Sequence, residues 1–321
     1  MRPLLLLSAM ALALSLPTQA HASCGSAFCT INTSWDAHGA WLEPGARLDL
    51  RYEYIRQDQP RSGTRDVAVG EIRRHHDEVL TVNRNLVGTF DYTFNENWGV
   101  SVLVPIVDRE HDHIHNHMGA QLPEHWDFRE LGDVRVMARR RLFTTEDANA
   151  HSIGTAGTYF GLKLPTGKTD VKNDEGEAAE RTLQPGSGTT DAVLGGYYSR
   201  QLPLRNLSWF VQGLVQAPLN EHEDYRPGIR TNLDLGVRYD MGERLGLLVQ
   251  LNGLYKARDR GAQAEPDDTG GQFIFLSPGV SYNFGERFQA YAFVQLPLYQ
   301  YVNGVQLVAS HALAVGLNMR F

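Results

Sequence analysis

The chain has 321 residues, a formal net charge of −7, 31 glycines, 13 tyrosines and two cysteines. Beyond the N-terminus no apolar run approaches about 18 residues, which excludes a helical membrane protein, and the slightly acidic balance offers nothing to hold nucleic acid. Abundant glycine and tyrosine favour β-structure with tight turns, and the length suits one closed barrel with none left for a plug domain.

The first 22 residues read as a secretory signal peptide. Arg2 is the positive start, Leu4 to Leu16 the short apolar core, and Ala20-His21-Ala22 the small-residue cleavage site. Lipidation at Cys24 is disfavoured, because His21 stands three positions before it where a Leu-like residue is wanted. Cys24 and Cys29 then lie in CGSAFC at the mature N-terminus, and export makes a short disulfide loop their expected state. A metal or redox role is the alternative. Residues 23–45 are expected to be a periplasmic segment. Threading of residues 30–45 through a barrel is open to the chain but not required.

From residue 46 to residue 321, segments of about ten residues alternate apolar with polar or small side chains. Leu48, Leu50, Tyr52 and Tyr54 share one face of the first, and Arg47, Asp49, Arg51 and Glu53 the other. Further on, Leu233, Leu235, Val237 and Tyr239 oppose Arg230, Asp234, Arg238 and Asp240. A period of two with one apolar face suits a strand between lipid and a polar interior. About twelve such segments are expected, near residues 46–55, 83–94, 98–110, 132–143, 154–166, 189–202, 207–220, 229–240, 245–258, 272–284, 287–301 and 306–321. The expected fold is a closed antiparallel transmembrane β-barrel. Its C-terminal segment, with Leu313, Val315, Leu317, Met319 and Phe321 on one face, resembles the terminal strand signature of bacterial outer-membrane barrels.

Connections alternate in length. Short turns at 95–97, 203–206, 241–244 and 285–286 belong on the periplasmic side. Longer polar connections at 56–82, 111–131, 167–188, 221–228 and 259–271 belong outside the cell. Aromatics segregate with them. Phe94, Trp98, Trp209, Tyr239, Phe284, Phe288 and Phe321 fall by the short turns; Tyr52, Tyr54, Tyr255, Phe273, Phe275, Tyr299 and Tyr301 fall at the opposite ends. Two belts a strand's length apart match the two membrane interfaces. Pro105, Pro165, Pro218, Pro278 and Pro297 each delete a ladder hydrogen bond, and bulges or the ends of pairing are expected there.

The sharpest local feature is Asp108-Arg-Glu-His-Asp-His-Ile-His-Asn-His117. On an extended segment His111, His113, His115 and His117 form one column, with neighbours about 6.6 Å apart. Imidazole ligates zinc, copper and nickel, so these four, with His75 and His76 of the preceding loop, are candidate ligands for Zn²⁺, Cu²⁺ or Ni²⁺ at the extracellular loops. Asp112 or Glu110 is the expected carboxylate support, and His125 and His222 are available nearby. The alternative is a solvated loop that is simply rich in histidine. The polar rows that include Arg47, Asp49, Arg51, Glu53, Arg230, Asp234, Arg238 and Asp240 are the candidate lumen lining.

Gly161-Leu-Lys-Leu-Pro-Thr-Gly-Lys168 lacks the spacing of a phosphate loop. Its strand-ending L-P-T-G stretch resembles that of a proteobacterial family of barrel transporters associated with phenol meta-cleavage operons. The resemblance implies a passive outer-membrane channel and small aromatic compounds as solutes. The residues by themselves leave transition-metal ions equally open. Partners would be outer-membrane lipid, the barrel assembly machinery and the solute. A structural barrel, or a surface lipid enzyme using His311, is the alternative. Ser310 should face away from His311 on a regular strand, and a lone histidine is no catalytic site, so the chain is not expected to be an enzyme.

Overall fold

The structure of the protein, a computed structural model, describes residues 31–34, 44–73 and 75–321. The expected signal peptide, Cys24 and Cys29 lie outside these residues. Among the described residues there are thirteen strands: β1 (Gly45–Gly63), β2 (Arg65–Asp66), β3 (His76–Thr93), β4 (Trp98–His117), β5 (Ala120–Leu131), β6 (Arg135–Asp147), β7 (Ser152–Lys163), β8 (Asp191–Leu202), β9 (Leu207–Pro218), β10 (Arg230–Met241), β11 (Leu245–Lys256), β12 (Gly271–Asn283) and β13 (Phe288–Arg320). Eleven close into one ring through pairing of β13 with β1, while β2 and β5 attach to β1 and β4 beside it.

A ring whose neighbours are all antiparallel needs an even number of passes. β13 supplies the extra one by doubling back. Its first part runs along β12 as far as Val302, and its second runs along β1 from Val302 to Arg320. Gly304 makes the reversal at φ +56°, a left-handed conformation that glycine adopts without strain. At the other end the Arg320 amide donates to the Arg287 carbonyl at 2.9 Å. The wall thus has twelve passes, as the alternation predicts. The amide of Phe321 donates to the Ala46 carbonyl at 2.9 Å, so first and last strands meet at the short-turn end.

The outer face is a band of exposed apolar side chains, including Leu50, Leu86, Phe90, Val104, Leu233, Leu235, Val237, Leu247, Val315 and Leu317. So large a continuous apolar surface is a lipid contact, not a feature of a water-soluble protein. Phe94, Trp98, Tyr239, Phe284, Phe288 and Phe321 are exposed at the short-turn rim, and Tyr52, Tyr255, Tyr299 and Tyr301 at the other. Phe273 and Phe275 do not join the upper belt. Both are buried inside, packed with Leu254, Val302 and Val308, and Ile274 faces out between them. The strand's parity assigns them so, since Ser277 and Ser281 share their inward row.

Inward-facing glycines receive aromatic rings from the neighbouring pass. Phe210 lies over Gly236 and Phe293 over Gly279, each directly cross-strand, and Tyr291 lies over Gly316. A Cβ on any of these glycines would come within 2.3 Å of the ring. Glycine here makes room for aromatics to lie flat on the barrel wall, beyond its use in turns.

Two connections expected as long loops are mostly strand. β1 runs on to Gly63, β3 starts at His76, β4 continues to His117, and β5 returns along β4 from Ala120 to Leu131. Polar alternation continues past the lipid boundary, so the ladder persists as a β-extension above the membrane. β5 pairs with the outer half of β4 and β6 with the inner half. The change falls at residues 132–134, opposite Pro105, whose carbonyl accepts from the Gly132 amide at 2.9 Å. Proline, having no N–H, suits a place where one partner leaves and another begins. Pro297 lies at the register shift between β12 and β13. The triple arginine in β6 keeps the alternation: Arg139 is buried and donates to Thr93 Oγ1, whereas Arg140 lies over the outer ring of Trp98 at 5.4 Å.

Candidate functional site

Every residue expected to line the lumen does face inward, and each is paired. Arg47 bonds Asp91, and Arg51 bonds Glu53 at 2.8 Å. Asp49 accepts from the Tyr291 hydroxyl at 3.0 and 3.1 Å. Asp234 accepts from Asn252 at 2.8 Å, Arg230 donates to Asn232 at 3.1 Å and Arg238 to Asp240 at 2.8 Å. Low-dielectric walls make unpaired charge costly; Arg51 and Arg238 meet a carboxylate two residues along their own strand, and Arg47 meets one on the adjacent pass.

Residues 31–34 lie within the lumen and not in the periplasm. The Asn32 amide donates to Gln250 Oε1 at 3.0 Å, Gln250 Nε2 donates to the Asn32 carbonyl at 2.9 Å, and Asn32 Nδ2 donates to Asp234 Oδ2 at 3.3 Å. Arg51 donates to Thr33 Oγ1. Ile31 packs on Leu248, Tyr291, Phe293 and Ala314. Gln250 thus bonds this short segment as a neighbouring strand would.

Three cavities of about 220 Å³ or more lie among the described residues of the interior. One of about 710 Å³ opens among Asn206, Arg238, Glu243, Asn283 and Gln289 at the short-turn end. One of about 220 Å³ lies beside Asn32, Asp49, Met137, Tyr159 and Asp234. A third, about 330 Å³, is bounded by Glu53, Arg109, Lys163, Arg181 and Lys256. The last two share Arg51, Leu103, Arg135 and Arg230 in their walls.

The connection 164–190 folds inward over the third cavity, and the L-P-T-G stretch anchors it. Thr166 Oγ1 accepts from the Val134 amide and donates to the Gly132 carbonyl, both at 2.9 Å. The Gly167 amide donates to Asp133 Oδ1 at 3.1 Å, and a Cβ on Gly167 would come within 2.7 Å of Gly186 backbone. Lys163 bonds Asp133 at 2.8 Å and approaches Asp191 at 3.4 Å. Leu183 and Ala179 from this connection bury themselves against Trp126, whose indole donates to the Glu177 carbonyl at 3.1 Å.

The histidine column sits not on a loop but on β4, a paired strand that continues above the apolar band, and it faces inward. At its level the outer face is ionic: Arg84 bonds Glu110 at 2.8 Å. His111 and His113 are fully buried. Burial holds His111 well below the usual imidazole range, with the nearby His113 and Arg109 adding to the effect. His75, His76 and His115 converge in one group, and Glu78, His111 and His113 in another. His117 is exposed at the tip, its ring 5.8 Å from that of His115, and belongs to neither. Asp112 and Glu110 face outward and do not support the column. Asp112 bonds His125, which it raises above the ordinary imidazole range. The carboxylates that do reach the column are Glu78 of β3 and Glu124 of β5, while Glu180 of the inward connection approaches His76. Glu78 shares the inward parity of His76, a signal present in the sequence; Glu180 carries no such pattern. His222 bonds with Tyr225 through the backbone and stays apart.

Ser310 does approach His311, its Oγ 3.0 Å from Nδ1, because the β1–β13 register shifts there. Among the described residues no carboxylate bonds the other ring nitrogen.

Residues 81–304 match the model of the family described as "Putative MetA-pathway of phenol degradation". The chain belongs to this family. No curated protein matches it. Among solved structures it is similar to an outer-membrane channel from Pseudomonas putida F1, with a TM-score of 0.65 and 14% identity over 91% of this chain and 100% of that one. Matches also include the NanC porin, at a TM-score of 0.49 and 12% identity over 85% and 100% of the two chains. Likeness at such identity is likeness of fold: a closed antiparallel barrel of the outer-membrane class.

Proposed function

We propose that this chain is a passive outer-membrane channel for small solutes, with small aromatic compounds bearing a polar group as the favoured class. The observation that carries the reading is the pair of adjoining interior cavities, of about 220 and 330 Å³, lined by paired charges together with Tyr159, Leu103 and Met137. An amphiphilic solute finds hydrogen-bond partners at Arg51, Asp49 and Asn32, and apolar surface at Tyr159, Leu103 and Met137, in one cavity of about 220 Å³. The phenol-degradation family and the likeness to a Pseudomonas putida channel fit this reading. The same reading places the protein in the outer membrane, inserted by the assembly machinery after signal cleavage, with lipid around its apolar band. Catalysis is not part of it, since among the described residues no carboxylate orients the Ser310–His311 pair.

The test is reconstitution of the mature barrel in planar bilayers and liposomes. Conductance steps, with faster uptake of phenol-type solutes than of sugars of similar size, are expected. A barrel that inserts normally and passes neither ions nor solutes would leave the structural alternative standing.

A further inference from the structure

The buried group on the β3–β4 extension has the dimensions of a metal site. His111 Nε2 lies 3.3 Å from His113 Nδ1 and 3.6 Å from Glu78 Oε2, and all three atoms fall within 4.8 Å of one another. Tetrahedral zinc with bonds of about 2.0–2.1 Å separates its ligand atoms by roughly 3.3–3.4 Å. Two of the three separations, those from His111, are close to this already, and the third is no more than 4.8 Å.

The outer partners point the same way. Glu124 Oε2 lies 2.8 Å from His113 Nε2, so that nitrogen carries the proton and Nδ1 presents its lone pair towards His111. Thr81 Oγ1 lies 3.0 Å from His111 Nδ1 and, as acceptor, leaves Nε2 as the ligating atom. A carboxylate or hydroxyl behind each imidazole is the arrangement that fixes ring orientation in metal sites. Trp126 packs on both rings, at 4.7 and 5.7 Å between centroids, and keeps the group dry. The donor set of two imidazoles and one carboxylate suits a divalent transition metal and not Mg²⁺ or Ca²⁺.

We infer that Glu78, His111 and His113 bind one divalent transition-metal ion, Zn²⁺ in the first place, inside the outer mouth of the barrel. The ion ties β3 to β4, and through Glu124 to β5. His75, His76 and His115 form a neighbouring group nearer the tip of the hairpin. His76 stacks on His113 at 4.6 Å and approaches Glu180 at 3.7 Å, which links the two groups to the inward connection.

The experiment uses the mature barrel refolded in detergent and freed of metal with EDTA. Zinc binding is read by calorimetry, and Ni²⁺ or Cu²⁺ binding by quenching of tryptophan fluorescence. One tight equivalent of zinc is expected in the wild type, retained in H117A and lost in E78Q and in H113A. E124Q should weaken binding by about 10–100-fold while keeping the site. W126F should bind zinc but lose most of the Ni²⁺ quenching. Each variant is compared only if it shows the heat-modifiable gel shift of a folded barrel, and E78Q, nearly isosteric, is the one least able to disturb it. A wild type that takes up no zinc overturns the inference. Uptake undiminished in E78Q and H113A, or lost in H117A instead, overturns it by moving the ion elsewhere. Conductance is measured separately, so failure here leaves the channel reading untouched.

Discussion

The Phe321 amide and the Ala46 carbonyl, 2.9 Å apart, are joined across the seam of the barrel at its short-turn end. The ring of Phe321 is 73% exposed and lies in line with the apolar row of Leu313, Val315 and Leu317. The last residue therefore contributes a closing bond and an aromatic contact at the membrane interface. Deleting Phe321 should lower the yield of folded barrel several-fold in cells and leave more unfolded protein in the periplasm. Heat-modifiable mobility on gels measures it, and wild-type yield would contradict the role given to the residue.

The second prediction concerns the segment inside the lumen. Asn32 is held by Gln250 through two backbone bonds and by Asp234 through its side chain. Substituting Gln250 with Ala removes both backbone partners at once, and each neutral bond is worth about 1 kcal/mol. The Q250A/D234N double variant should release residues 31–34 from the wall and raise single-channel conductance. If conductance is unchanged while protease reaches the segment more easily, the segment does not limit flow.

Gly167 supports a third. Its backbone packs on Gly186, and any side chain would push the two apart. Gly167→Val should detach connection 164–190 from Asp133 and break the Thr166 bonds to Gly132 and Val134, at a cost of about 1–3 kcal/mol for overpacking. The expected readouts are earlier proteolysis within 164–190 and a wider pore on the outer side, with the transmembrane strands unaffected by circular dichroism.

How far the sequence foretold this molecule depends on how far each feature is a matter of period. The twelve passes, the inward rows of Arg47 to Glu53 and Arg230 to Asp240, and the histidine column all follow from alternation. So does the placement of Phe273 inside, although aromatics near a strand end invite an interfacial reading. Features made by distant pairing were not legible. Parity turns Glu78 inward with His76 and Asp112 to the face opposite the column, but nothing local tells that Glu78 and Glu124, from the strands on either side, meet His111 and His113, or that Asp112 finds His125. The extension of β1, β3 and β4 above the membrane was hidden because polar alternation on both faces looks like a loop. The bulge beside Arg56 that brings Ser310 round to His311 is likewise a property of two strands, not of one.

The fourth prediction rests on Asp259, which is fully buried in the connection between β11 and β12 and has four groups gathered round it. Its carboxylate accepts from the Tyr225 hydroxyl and from Lys256, both at 3.0 Å, and from the Gly228 amide at 2.7 Å; its own amide donates to Thr269 at 2.9 Å. Burial, with Asp259 adding to it, pushes the Tyr225 phenol well above its ordinary range, so at neutral pH it is always the donor. Removing the carboxylate leaves the Lys256 ammonium buried without its nearest counter-charge, and breaking such a pair costs about 3–5 kcal/mol. Asp259→Ala should therefore loosen the connections 219–229 and 257–270 together, seen as joint loss of amide-exchange protection in both. Asp259→Asn keeps one acceptor for Tyr225 but not the charge, and should fall between. Loosening confined to 257–270 would show that Asp259 organises its own connection only, and that Tyr225 is held by packing against Arg181 instead.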